Sequence, residues 1–160
     1  MFKFCPIAEK DKEFLYLLYA NTREAEMQMT DWDVARKDEF LRMQFNAQHQ
    51  HYQKNYADAD FQLIQLNGEN VGRLYVEEMK DEFRLIDIAL VAEQRNKGYG
   101  GKLMRQLLSK AQESLKPVRL HVEQFNPARH FYQRIGFETI ENRGVYLFME
   151  WQPQIRPVKC

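Results

Sequence analysis

Hydrophobic positions in this chain follow strand spacing in some stretches and helix spacing in others. Short runs rich in β-branched and aromatic residues predict strands over residues 2–7, 61–66, 71–77, 83–91 and 118–123, and a closing hairpin over 137–140 and 144–151. Apolar residues three or four positions apart predict helices over about 11–23, 99–115 and 127–134, and a long helix that ends near residue 56. The pattern predicts one α/β domain over residues 1–152 and an extended tail over 153–160.

Local signals support several of these boundaries. Asn67-Gly68 separates two predicted strands, and Asn-Gly is a strong signal for a tight hairpin turn. Thr30 stands three residues before Asp33, a spacing typical of a helix start, so the long helix is expected to begin there. On the first helix, Phe14, Leu17 and Leu18 are expected to form the buried face.

The segment from Ile86 to Leu103 carries the strongest chemical signal. It reads as an apolar strand, a polar turn, a glycine-rich loop and the start of an amphipathic helix. Gly98, Gly100 and Gly101 allow backbone N–H groups to approach a ligand closely, and the N-terminus of the following helix favours an anion. Cations of matching sign lie in the same segment: Arg95, Lys97 and Lys102. Together these features predict a diphosphate site.

Spacing decides which kind of diphosphate loop this is. The Rossmann pattern fails because Leu103 occupies the place of its third glycine, and the Walker pattern fails because Leu103 follows Gly101-Lys102. The pattern Arg95-x-x-Gly98-x-Gly100 resembles the acetyl-coenzyme A loop of the GNAT superfamily of N-acetyltransferases. The alternative is a plain strand–turn–helix with glycines for tight packing.

A second segment, residues 120–137, resembles the other signature of this family. A strand is followed by Asn126-Pro127-Ala128-Arg129, Tyr132 stands six residues after Asn126, and Gly136-Phe137 closes the helix. Asn126 is a good N-cap, Pro127 suits the first helical position, and Gly136 is placed to end the helix. The resemblance covers about residues 3–152 and is strongest from 70 to 151.

The resemblance implies a fold, a co-substrate and a set of binding residues. The fold is a central mixed, mostly antiparallel sheet, splayed at the cofactor cleft and flanked by about four helices. Acetyl-CoA is the implied co-substrate, without a metal. Its pantetheine chain is expected along Ile88, Ala89 and Leu90, with a backbone N–H near Leu90 polarising the thioester. The residues expected around its pyrophosphate are Arg95, Asn96, Lys97, Gly98, Gly100 and Gly101. Asn126 is expected to reach the pantetheine amides, unless capping is its whole role.

Two residues are expected to carry the chemistry. Tyr132 matches the family tyrosine near the coenzyme sulfur and would protonate the leaving thiolate; the alternative role is packing. His121 occupies a strand position where some members place a catalytic glutamate, so it is the candidate general base. Asp87 and Glu123 are rival bases, and a water chain without a dedicated base is a further alternative.

Composition and charge limit the partners. The formal net charge is zero and the pI is about 6.9, so nucleic acid and membrane partners are not expected. Two cysteines, Cys5 and Cys160, make no disulfide framework and favour the cytoplasm. Residues 95–119 hold seven Lys or Arg against one acid, a basic block that suits a phosphate ligand. Residues 58–93 hold nine acids against three cations, an acidic block that either faces a cationic acceptor or simply faces water.

The expected activity is transfer of an acetyl group from acetyl-CoA to a primary amine of a small molecule or peptide. Alternatives are another acyl donor, an acceptor oxygen, or a non-catalytic module that senses acyl-CoA. A homodimer is left open. Candidates for the acceptor pocket, each of which could instead belong to the core, are Met27, Met29, Trp32, Phe45, His49, Tyr52 and Tyr146.

Overall fold

A computed structural model describes residues 1–155 of the chain, which contain seven strands and five α-helices. The tail predicted over 153–160, with Cys160, falls largely outside the described residues. In chain order the elements are β1 (Phe2–Pro6), α1 (Lys12–Thr22), α2 (Glu24–Gln28), α3 (Val34–Asn55), β2 (Asp60–Leu66), β3 (Glu69–Glu78), β4 (Phe83–Leu90), α4 (Tyr99–Ser114), β5 (Val118–Glu123), α5 (Ala128–Arg134), β6 (Glu138–Arg143) and β7 (Tyr146–Trp151).

The strands form one sheet in the order β1-β2-β3-β4-β5-β7-β6. β1 with β2, β5 with β7 and β6 with β7 are antiparallel, whereas β4 and β5 are parallel. The parallel pairing extends from Phe83↔Val118 to Leu85↔Leu120, although β4 continues to Leu90. The predicted mixed, mostly antiparallel sheet is therefore confirmed.

The described chain divides into two compact units. Unit 1 comprises Met1–Tyr75 and Asp87–Lys97, and unit 2 comprises Val76–Ile86 and the chain from Gly98 onward. The core of unit 1 is built on α1 and α3 and includes Leu15, Tyr19 and Phe45. Leu17, by contrast, is 56% exposed, so its predicted place on the buried face is wrong. Leu17 is two residues from Leu15, which turns it by about 200° around the helix.

The start of α3 also differs from the prediction. Asp33, not Thr30, is the N-cap: its Oδ1 accepts a hydrogen bond of 2.8 Å from the backbone N–H of Arg36. The hydroxyl of Thr30 instead donates to the carbonyl oxygen of Met27 at 2.8 Å. Thr30 therefore belongs to the end of α2, and the stronger carboxylate acceptor caps the long helix.

In unit 2 the helix predicted over 99–115 is α4. Its apolar residues at helical spacing form a stripe, which is buried at Leu103, Leu107 and Ala111. The stripe stops there, because Leu115 lies just beyond the helix with φ of 52° and is 60% exposed. Leu115 thus takes the left-handed position that usually ends a helix on glycine. Strand β5 of this unit buries Val118, Leu120 and Val122 on one face and turns Arg119, His121 and Glu123 to the other.

Candidate cofactor and catalytic site

The first half of the glycine-rich loop belongs to unit 1, and a hydrogen bond from the side chain of Arg95 ties it to the end of β4. After β4 ends at Leu90, a 3-10 turn spans Ala92–Gln94. The Nε of Arg95 then donates to the carbonyl oxygen of Leu90 at 3.0 Å. Asn96 follows with φ of 61°. Arg95, Asn96 and Lys97 are all exposed, so this half of the loop presents cationic side chains to solvent.

The second half of the loop, in unit 2, begins α4. Gly98 is the N-cap with φ of 78°, a conformation that favours glycine, and its carbonyl accepts the N–H of Lys102 at 3.1 Å. A glycine cap has no side chain to satisfy the N–H groups of the first turn, which have no partner within the helix. A Cβ built on Gly100 would meet no atom within 4 Å. The space beside Gly100 is therefore open, and internal packing does not require glycine there.

On its β3 side, the segment of β4 that was predicted to hold pantetheine lies against a glycine that was not predicted to matter. Gly72 in β3 is buried, and a Cβ on it would overlap the carbonyl oxygen of Ala89. The N–H of Val91 donates to the carbonyl of Val71 at 2.8 Å. Gly72 thus permits β3 to approach β4 closely beside the half-buried Ile88, Ala89 and Leu90. A lone glycine inside a strand pattern is the sequence signal for such a close approach.

A second missed feature is the buried cation Arg73, which is 3% exposed in β3 of unit 1. Its Nη2 forms an ion pair of 2.5 Å with Oδ2 of Asp87 and donates to Oε1 of Gln48 at 3.0 Å. The hydroxyl of Tyr52 donates to the same Asp87 oxygen at 3.3 Å. Burial acts to lower the pKa of Arg73, but the charge of Asp87, the neighbouring Tyr75 and Tyr52 and the hydrogen bond to Asp87 together raise that pKa.

Asp87, a rival base, is therefore tied into a network that fixes its orientation. The burial of Arg73 could have been predicted, because Arg73 is two residues from both Val71 and Tyr75 and so shares one face of the strand with them. Sequence reasoning counted it only as a charge.

In unit 2, His121 lies in a cationic setting. Its ring stacks on Phe148 with centroids 4.7 Å apart, and Nη1 of Arg143 lies 2.8 Å from its Nε2. Because arginine only donates, Nε2 accepts, and the neutral ring carries its proton on Nδ1. Partial burial, together with the charges of Arg84 and Arg143, lowers the pKa of His121. To act as a base through Nε2, His121 would need Arg143 to give up this hydrogen bond.

Two other predicted residues of unit 2 are also engaged. Tyr132 is 8% exposed, and its ring lies 5.6 Å from the rings of Phe131 and Phe137. Oδ1 of Asn126 accepts the backbone N–H of Ala128 at 2.9 Å in the turn that enters α5. The N-cap is Pro127 and not Asn126 as predicted, because α5 begins one residue later, at Ala128. Glu123, the third candidate base, is half-buried opposite Tyr146 in the β5–β7 pairing.

The charge blocks take different forms in the structure. Three cations of the basic block line an open groove of about 480 Å³ on α4, whose lining residues are Lys102, Arg105, Gln106, Ser109, Lys110 and Glu113. In the acidic block, Glu78 pairs with Lys116, and Glu82 pairs with Arg84 and Arg119. Asp87 is likewise neutralised by Arg73. The excess of acids in the sequence therefore overstates the local negative charge.

The residues named for the acceptor pocket do not share one environment. Met27 and Phe45 belong to the core of unit 1, and His49 stacks on Phe45 with ring centroids 5.6 Å apart. Met29 is 90% exposed and Tyr146 is 47% exposed. Across residues 1–155, no group of three His, Cys, Asp or Glu side chains could hold a metal ion. No helix within those residues combines the length and apolar character needed to cross a membrane.

Comparison with known proteins agrees with the fold. A family profile described as "Acetyltransferase (GNAT) domain" matches residues 57–139, whereas no curated protein matches the chain. The PaiA N-acetyltransferase of Thermoplasma acidophilum, solved with coenzyme A, has a TM-score of 0.70 at 15% identity, over 95% of this chain and 99% of its own.

Two further solved structures are similar over nearly the whole chain. The ribosomal-protein-S18-alanine N-acetyltransferase of Escherichia coli has a TM-score of 0.61 at 15% identity, with 98% of this chain and 97% of its own covered. A GNAT acetyltransferase of Elizabethkingia anophelis with acetyl-CoA bound has a TM-score of 0.56 at 15% identity, with 94% and 97% covered. At these identities the neighbours show the fold, and the profile, which spans more than half of the chain, shows the family. The chain belongs to the GNAT family of acetyltransferase domains.

Proposed function

We propose that the protein transfers an acetyl group from acetyl-CoA to a primary amine of a small molecule or peptide. The observation that carries the proposal is the start of α4, where Gly98 caps the helix without a side chain and the space beside Gly100 is open. Backbone N–H groups in this arrangement suit a diphosphate. Because Gly100 serves no internal packing need, a ligand explains it better than the alternative of tight strand–helix packing.

The donor-binding roles are assigned residue by residue. In unit 1, the backbone of Ile88, Ala89 and Leu90 would hold the pantetheine chain, and a backbone N–H near Leu90 would polarise the thioester carbonyl. Arg95, Asn96 and Lys97 would contribute backbone N–H groups and positive charge to the pyrophosphate. In unit 2, Gly98, Gly100 and Gly101 would contribute the first-turn N–H groups, and the cations along the α4 groove suit further phosphate. Oδ1 of Asn126 already accepts the N–H of Ala128, so its Nδ2 and the second lone pair of Oδ1 would serve a pantetheine amide.

The chemistry needs an uncharged amine and a protonated leaving group. Acetyl-CoA supplies the thioester: the amine nitrogen forms a C–N bond to the carbonyl carbon as the C–S bond breaks, and coenzyme A leaves as the thiol. Tyr132 would give its phenolic proton to the departing sulfur. His121 would take a proton from the amine once Arg143 releases its Nε2; Asp87, Glu123 and a water chain are the alternatives.

The acceptor is proposed to be a soluble amine that carries positive charge, with nucleic acid and lipid excluded as partners. The support is the excess of acidic residues over 58–93. Ion pairs at Glu78, Glu82 and Asp87 neutralise part of that negative charge. Cytoplasmic residence is supported by Cys5, a free thiol whose Sγ lies 3.3 Å from Oε1 of Gln65.

The test is an acceptor panel followed by release of free thiol. Polyamines, aminoglycosides, lysine-containing peptides and neutral aromatic amines are offered with acetyl-CoA at two ionic strengths. Turnover of a cationic amine that weakens as salt rises supports the proposal, because screening reduces steering by charge. Binding of coenzyme A without turnover of any acceptor would instead favour the non-catalytic sensor. If the best acceptor is neutral, the charge assignment is wrong and the transferase assignment stands.

A further inference from the structure

A tight turn at the end of β5 exposes an aromatic side chain. The N–H of Asn126 donates to the carbonyl oxygen of Glu123 at 3.0 Å, which closes a β-turn. Gln124 and Phe125 are its central residues, and Phe125 is 93% exposed, more than any other aromatic residue of the described chain. Gly, Asn, Asp, Ser and Pro dominate such positions, so the turn itself does not explain a phenylalanine there.

The hairpin between β6 and β7 has the same character. Its two loop residues are Gly144 and Val145, and the N–H of Gly144 donates to Oδ1 of Asn142 at 3.0 Å. Gly144 has φ of 81°, which meets the backbone requirement of a tight hairpin. Val145 is 68% exposed, and the next residue, Tyr146, is 47% exposed. Val145 thus also stands where turns favour small or polar residues.

The two turns lie side by side within unit 2. The N–H of Gln124 donates to the carbonyl oxygen of Val145 at 2.9 Å, and Glu123 is opposite Tyr146 in the pairing of β5 with β7. We call the three exposed apolar residues Phe125, Val145 and Tyr146 the turn patch. Single hydrophobic residues on a surface are ordinary, but a group of them on adjoining segments marks a contact site.

The size and the position of the turn patch favour a small molecule over a protein. Its three side chains expose roughly 400 Å² at most, because an aromatic side chain presents about 150–250 Å². A standard protein interface covers about 800 Å² of each partner. The turn patch also adjoins residues of the proposed reaction: Asn126 follows Phe125 directly, and the candidate bases His121 and Glu123 lie on the face of the sheet that carries Tyr146.

We propose that the turn patch binds an apolar group of the acceptor, so that the acceptor is a small amine with an aromatic or branched aliphatic group close to its nitrogen. This inference rests on the proposed transfer to an amine and narrows its substrate class. Ligand sites combine apolar side chains with a few placed polar groups, here Phe125 and Val145 with the carboxylate of Glu123. Polyamines and aminoglycosides carry the charge without the apolar group, so they should be poorer acceptors.

The experiment compares two amines of equal charge, phenethylamine and ethanolamine, which differ by a phenyl and a hydroxyl group. Thiol release from acetyl-CoA gives kcat/KM for each. The unaltered protein should prefer phenethylamine about tenfold or more, because the phenyl group leaves water. The double variant Phe125→Ser with Val145→Ser places residues that turns favour at both positions, so it should fold. It should reduce the preference about tenfold, whereas Phe125→Leu should retain most of it.

The matched control is Ile140→Ser. Ile140 is 49% exposed on the same hairpin, but it lies at a bulge near the other end of β6, where the pairing with β7 shifts between Thr139 and Glu141. Loss of this apolar side chain should leave the preference for phenethylamine unchanged. Equal kcat/KM for the two amines, or a preference that survives in the double variant, would overturn the turn patch while the transferase assignment stands.

Backbone amide shifts in the presence of coenzyme A report binding without turnover. Phenethylamine should shift the amides of Phe125 and Val145, and ethanolamine should not. If no amine is turned over, the proposed function fails and these shifts decide: shifts that are lost in Phe125→Ser retain the turn patch as a binding site, and their absence overturns it. A dimer that disappears in Phe125→Ser would assign the patch to a second copy and so overturn the proposal.

Discussion

Substitution of Gly100 by alanine separates the structural role of this residue from a ligand-binding role. Gly100 is the second residue of α4, and a Cβ there would meet no protein atom within 4 Å. Without ligand, Gly100→Ala should stabilise the protein by up to about 0.5–1 kcal/mol, because glycine is a poor helix former. For a domain of this size that is a rise in Tm of about 1–4 °C.

In the presence of coenzyme A, Gly100→Ala should become less stable than the unaltered protein, because it binds the ligand more weakly. The added methyl would occupy the space that the proposal gives to the pyrophosphate. At a ligand concentration of about 100 Kd, binding contributes about 2.7 kcal/mol of stability, and a tenfold weaker Kd leaves about 1.4 kcal/mol. The thermal shift produced by coenzyme A should therefore fall by about half in Gly100→Ala. Gly100→Glu adds charge repulsion and should abolish the shift.

The assay is thermal unfolding with and without coenzyme A, supported by calorimetric titration of Kd. Ser114→Ala, at the exposed far end of the same helix, is the matched control: it improves helix propensity and should leave the coenzyme shift intact. If Gly100→Ala keeps the full shift, the pyrophosphate does not lie beside Gly100, and the assignment of this loop is refuted.

The other predictions concern chemistry, titration and strain. Tyr132→Phe should lower kcat by about tenfold to a thousandfold with little change in coenzyme affinity, because the ring between Phe131 and Phe137 remains; a loss of folding would instead indicate packing as its role. His121 should titrate by NMR below its ordinary pKa, and Arg143→Gln should raise that pKa by removing a positive neighbour. Since the depressed pKa favours the neutral ring in the fold, the contribution of His121 to stability is present above the unfolded pKa of about 6.5 and is lost as the pH falls below it. Leu115→Gly should stabilise against urea by about 0.5–1 kcal/mol, since φ of 52° strains leucine and not glycine; an unchanged unfolding midpoint would mean that the exposed leucine compensates.

Local signals in the sequence were sufficient for the strands, for four of the five helices of residues 1–155 and for the family, but not for the short helix α2. Val118–Glu123 was predicted to the residue, and the Asn67-Gly68 turn occurs with φ of 53° and 82°. Each rests on interactions between residues close in the chain, such as hairpin turns, helix caps and apolar periodicity. The two family motifs are likewise contiguous segments, and the resemblance drawn from them is confirmed by the family profile.

Some outcomes could not be decided locally. Two competing caps, Thr30 and Asp33, stand three residues apart, and the choice between them depended on where α2 ends. Leu17 and Leu115 fit the apolar periodicity of the sequence, but only the packed structure shows which side of each helix faces a core.

Contacts between distant segments were decided by tertiary structure alone. Three contacts join residues from separate strands: the ion pair of Arg73 with Asp87, the hydrogen bond of Arg143 to His121, and the close approach of Ala89 that requires glycine at position 72. The register of those strands is set by the whole sheet. The bulge at Ile140 is the same kind of outcome, because an extra residue is defined only against the strand opposite. The sequence by itself determined which residues form most of the helices and strands and the glycine-rich loop. The tertiary structure decided which charges are neutralised and on which face of a strand each charge lies. Both depend on distances between segments, which no local pattern contains.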